Sequence, residues 1–82
     1  MNIKTFNSQY DLVEFHHYIN QVNDKTVNIV ELLLNCPVDE FFESDFESIF
    51  VIEEEKQTHV FSWYEVDEFY EEDGLLKVIL VK

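Results

Sequence analysis

The chain has 82 residues, with five Lys, no Arg, 18 Asp plus Glu and three His, which gives a formal charge of −13 and a pI near 4.2. That balance excludes the basic stripe that grips nucleic-acid phosphates and the polybasic surface that docks on anionic lipid. A single domain, 1–82, is the most such a length supports, yet 46% hydrophobic and 16% aromatic residues lie far from disordered compositions, so the chain is expected to fold.

Taken in order, Ile3, Thr5 and Phe6 read as a short opening strand. Ser8 and Asp11 resemble a capping box, and Leu12, Phe15, Ile19 and Val22 recur at spacings of three, four and three, which lines one face of an α-helix. A helix from Ser8 to Val22 is therefore predicted, ended by the polar turn Asn23-Asp24-Lys25. Thr26–Leu34 (TVNIVELLL) is too short, too β-branched and too apolar for anything but a buried strand, and Asn35-Cys36-Pro37 ends it. Val38–Glu47 (VDEFFESDFE) is open between one or two helical turns, with Phe42 and Phe46 at i,i+4, and an irregular loop. Ser48–Glu54 and Thr58–Tyr64 flank the tetrad Glu54-Glu55-Lys56-Gln57 and read as a β-hairpin.

For Glu65–Asp73 (EVDEFYEED) a short helix through Val66, Phe69 and Tyr70 competes with a strand bulged near Glu68. The Asp73-Gly74 pair, a hairpin signal, favours the strand. Leu75–Val81 (LLKVILV) is the last strand. The sum is an α+β fold of two layers, one main helix packed on a four- to five-stranded, mostly antiparallel sheet. The uncovered sheet face would be left to solvent or to a partner.

The charge is unevenly placed. Residues 1–35 hold four acids and two Lys, a net of −2, whereas residues 36–82 hold fourteen acids and three Lys, a net of −11. Three clusters carry it: Asp39, Glu40, Glu43, Asp45 and Glu47; then Glu53, Glu54 and Glu55; then Glu65, Asp67, Glu68, Glu71, Glu72 and Asp73. Solubility of a small domain needs a net magnitude of only about 2 to 8, and denser like charge destabilises the compact state. The excess points to a partner-binding acidic face, with Phe41, Phe42, Phe46, Trp63, Tyr64, Phe69 and Tyr70 as interleaved aromatics that could anchor it. The partner would be a basic protein, and neither nucleic acid nor membrane is expected to bind directly.

Catalytic patterns are missing. His16 and His17 are neighbours that would diverge on a helix, and His59 stands alone, so no shared metal ligation is expected. Cys36 cannot pair internally and has no signature of an oriented histidine base. The acids lack the EF-hand spacing, and one glycine cannot make a phosphate loop. No enzyme activity, cofactor or metal is expected. The opening MNIKTFNSQYD shows no basic segment followed by an apolar run, and no stretch approaches the roughly 20 apolar residues that span a bilayer, so a reducing cytoplasmic location is expected.

The run Trp63-Tyr64-Glu65-Val66-Asp67-Glu68-Phe69-Tyr70-Glu71-Glu72-Asp73, followed by a strand ending in Lys82, resembles the tail of small phage-encoded anti-CRISPR proteins that inhibit the type II RNA-guided nuclease. Size and acidity are similar too. The resemblance implies an acidic face that occupies the nuclease's channel for the protospacer-adjacent motif in place of DNA, with Glu68, Glu71, Glu72 and Asp73 as the phosphate mimics, and action inside a bacterial host cell. In character the chain is also similar to phage DNA-mimic inhibitors of restriction enzymes and of uracil-DNA glycosylase. An acidic immunity or adaptor module that neutralises a basic toxin would use the same surface physics. A homodimeric phage structural or accessory protein would instead self-associate through an exposed sheet face, so monomer and homodimer both stand as expectations.

Overall fold

In the computed structural model, which describes all 82 residues, Gln9–Val22 is a 14-residue β-strand and not a helix. The reason lies in one extra residue. Tyr10 and Leu12 face the core, Val13 has no partner across the ladder, and Phe15 and His17 return to the core side. The spacing of three between Leu12 and Phe15 is therefore a bulged strand period, and the spacing of four from Phe15 to Ile19 is two ordinary ones. Asn23 and Asp24, both left-handed with φ of 52° and 64°, then close a two-residue turn whose twist suits a hairpin. Leu12, Phe15 and Ile19 satisfy both periods, and the turn decides between them.

The seven strands are β1 (Asn2–Lys4), β2 (Gln9–Val22), β3 (Lys25–Leu34), β4 (Ile49–Glu53), β5 (Thr58–Ser62), β6 (Glu65–Glu72) and β7 (Leu75–Val81). All pairings are antiparallel, in the order β5-β4-β1-β2-β3-β7-β6. The only helical turns are two short 3-10 segments, Val38–Glu40 and Glu43–Phe46. The α+β expectation is thus corrected to an all-β fold, while the hairpin at 48–64, the strand reading of 65–72 and the last strand hold. No helix is long and apolar enough to cross a membrane.

Strand β2 joins two halves of the sheet. Its first three residues pair with β1, and from Leu12 onward, across the bulge at Val13, it pairs with β3. Bulges let a strand bend from one layer into another, and here the bend folds β4 and β5 over the long hairpin. Ring contacts prove the closure: Phe15 meets His59 at 5.2 Å and His17 meets Phe61 at 5.3 Å between centroids, although β2 and β5 are separated by two strands in the sheet. Between the layers lies one core of 15 residues, with Ile3, Phe50 and Ile52 from one half and Val30, Leu32, Leu34, Leu76, Val78 and Leu80 from the other. Phe41 and Phe46, from the two 3-10 turns, stack at 5.4 Å and plug the open side.

Candidate functional site

Strand β6 is an edge of the sheet, paired only with β7. Its register shifts between Val66 and Glu68, leaving Asp67 as the extra residue. The shift decides which side chains face out. Val66 lies opposite Leu80 and Phe69 opposite Val78, so both turn to the core, while Glu65, Glu68, Tyr70 and Glu72 turn away. Without the extra residue the alternation would point Glu68 inward and Phe69 to solvent. The hairpin that holds the strand ends in Asp73 (φ 52°) and Gly74 (φ 80°), where glycine meets the left-handed requirement at no steric cost.

All six acids of this strand and turn are exposed, and none forms an ion pair. From Glu65 to Glu72 the strand carries five carboxylates over roughly 24 Å at ~3.4 Å per residue, about one per 5 Å. A single strand of B-DNA presents one charge per ~3.4 Å of axis. An unpaired edge this acidic is also protected against pairing with another copy, because like charges would oppose each other across the new ladder.

The other clusters fare differently. Asp39, Glu40, Glu43 and Glu47 are exposed on and beside the 3-10 turns, and Glu55 is exposed in the β4–β5 loop. Glu53 is held by Lys4 at 2.9 Å, and Glu54 by His59 at 2.7 Å. Asp45 is removed from the candidate face: it is 8% exposed, and its Oδ2 accepts a hydrogen bond of 2.7 Å from the Tyr10 hydroxyl. Burial first, and that bond second, push the Tyr10 hydroxyl up to about 12. Of the aromatics, Phe41, Phe46 and Tyr64 are core residues, Phe69 is half-buried, and Phe42, Trp63 and Tyr70 are exposed.

Cys36 is half-buried against the core, its thiol donates to the Pro37 carbonyl at 3.3 Å, and burial together with Glu40 and Asp39 pushes it up, away from the reactive thiolate. No group of three His, Cys, Asp or Glu side chains converges on a metal-sized site. Glu31, on the outward side of β3, accepts from Tyr18 at 2.6 Å and pairs with Lys77 at 3.2 Å, and these contacts hold its carboxyl below the usual range.

One surface escaped the sequence reading: Phe6, Ile49, Val60 and Trp63 are all strongly exposed on the outward side of β4 and β5. A signal was present in the unbroken apolar run Ile49-Phe50-Val51-Ile52, which makes both faces of an antiparallel hairpin apolar where one would suffice. The molecule is thus a small all-β domain with an unpaired acidic edge and a separate apolar face. No protein-family model matches the chain, and neither a curated protein nor a solved structure does.

Proposed function

We propose that the chain is an acidic DNA-mimic inhibitor that binds and occludes a basic nucleic-acid-binding groove of a bacterial nuclease, with a type II RNA-guided effector as the first target to test. The observation that carries this reading is β6: an exposed, unpaired edge strand with five carboxylates in eight residues, of which Glu65, Glu68 and Glu72 form a row on its outward side. The strand's rigid pairing with β7 supports it, because a preorganised array loses little freedom on binding. The mechanism is competitive occlusion: the net charge steers a fast encounter, and Tyr70, set between Glu68 and Glu72 on the outward side, supplies a desolvated contact.

Competition decides it. Titrated against a guide-loaded type II effector bound to a labelled duplex with its motif, the chain is expected to displace the duplex, with an apparent affinity whose logarithm falls linearly with the logarithm of salt concentration. The triple substitution Glu65→Gln, Glu68→Gln, Glu72→Gln is expected to weaken displacement by at least about tenfold. Displacement that is absent, or equal for the triple variant, rejects the reading.

A further inference from the structure

The second exposed surface differs from β6 in every respect that matters for a partner. Phe6, from the turn after β1, is 91% exposed; Trp63, from the link between β5 and β6, is 67% exposed; Val60 and Ile49 between them are 66% and 52% exposed. Together they present on the order of 500 Å² of apolar area, at the upper end of what a monomer shows as one patch. Trp63 is also held in a left-handed backbone, φ 63°, which a bulky aromatic residue adopts only when its surroundings impose it. Two anchors impose it: the Trp63 N–H donates to the Ser48 carbonyl at 2.7 Å, and the adjoining Tyr64 is buried among Phe50 and Phe61. The consequence is an indole thrust outward between two shallow depressions. One, of about 450 Å³, is lined by Phe6, Ile49 and Val51; the other is lined by Val27 and Val81.

The electrostatics of this face select its occupant. The first depression has Lys4 as its only charged lining residue, and the second has Glu65 and Lys82, so a chain of net charge −13 is close to neutral here. A basic partner finds nothing to neutralise at this place and is drawn to β6 instead. The same face on a second copy is mainly apolar, with Lys4, Lys82 and one carboxylate, Glu65, at its margins, so two such acidic bodies meet here with little opposing negative charge.

We propose that this face is a homodimer interface, with Phe6 and Trp63 of each copy packed against the depressions of the other. Each copy would bury roughly 500 Å² of apolar core plus a polar rim, near the ~800 Å² per partner of a stable interface. Only Glu65, at the start of β6, borders this interface; the rest of each β6 edge, from Asp67 to Glu72, would stay free, so the dimer carries two acidic arrays. The inference does not depend on the proposed function, because it concerns the chain alone.

Sedimentation equilibrium of the purified chain tests it, from about 10 μM to about 1 mM, at ~0.05 M and ~0.5 M NaCl. The expected result is a monomer–dimer equilibrium that tightens at least about tenfold at the higher salt, because screening removes the repulsion between two bodies of −13 while apolar contact is retained. Phe6→Glu, at a side chain that supports nothing in the fold, and Trp63→Glu are each expected to weaken the dimer about a hundredfold, with unchanged far-UV circular dichroism confirming the fold. A chain that stays monomeric at the highest concentration in high salt overturns the proposal. So does a dimer that Phe6→Glu leaves intact, or one that loosens as salt is added.

Discussion

Tyr10 and Asp45 form the one buried polar pair in the core, and the rest of the residue-scale chemistry can be argued from them. Tyr10→Phe keeps the ring against Phe41 and Phe46 but leaves a buried carboxylate without its donor, which costs about 1–3 kcal/mol and is read as a lowered denaturation midpoint. The same pair sets an alkaline limit. In the folded chain the hydroxyl keeps its proton up to about 12, against 10.0 for the free group, so the unfolded chain loses its proton first as pH climbs. The contribution to stability is therefore whole below pH 10 and is lost between 10 and about 12, and urea titrations across that window are expected to show a decline that Tyr10→Phe makes shallower. None of this was legible beforehand. Asp45 sits in a run of acids where nothing distinguishes the one that turns inward, since its burial depends on Tyr10, 35 positions earlier in the chain.

At the scale of elements, turns governed what could be read. Asp73-Gly74 identified the β6–β7 hairpin and its flanking strands, because a two-residue turn with two left-handed positions has few sequence solutions. Asn23-Asp24 makes the same turn but carries no glycine, so the hairpin signal is muted and the residues before it read as a helix. The spacing of Leu12 and Phe15 could not correct the error, because a bulged strand and a helix both place residues i and i+3 on one side. The comparison yields paired expectations. Asp24→Gly relieves a left-handed non-glycine position and is expected to stabilise the fold by about 0.5–1 kcal/mol, measured as a raised midpoint in chemical denaturation. Gly74→Ala, in open space but at φ 80°, is expected to cost about 1 kcal/mol by the same measurement. The acidic candidates are legible as a set from their order in the chain, whereas their separation into free, paired and buried groups depends on contacts distant in sequence: Lys4 with Glu53, His59 with Glu54, Tyr10 with Asp45, and in β6 the register set by the bulge at Asp67.

For the whole molecule, charge opposes folding as much as it serves recognition. Six unpaired carboxylates along one edge and turn repel one another in the folded state, so added salt is expected to raise the thermal midpoint by several degrees between about 0.02 M and about 0.5 M NaCl, followed by circular dichroism on a dilute sample. The strand order adds a constraint of a different kind. The acidic strand β6 touches the sheet only through β7, which follows it in the chain, and β7 is also the strand that β3 must wait for. The acidic array therefore takes its fixed shape only when residues 75–81 are docked between β3 and β6. A chain clipped before β7 keeps every carboxylate but loses their fixed spacing, so the acidic surface itself reports whether β7 is docked.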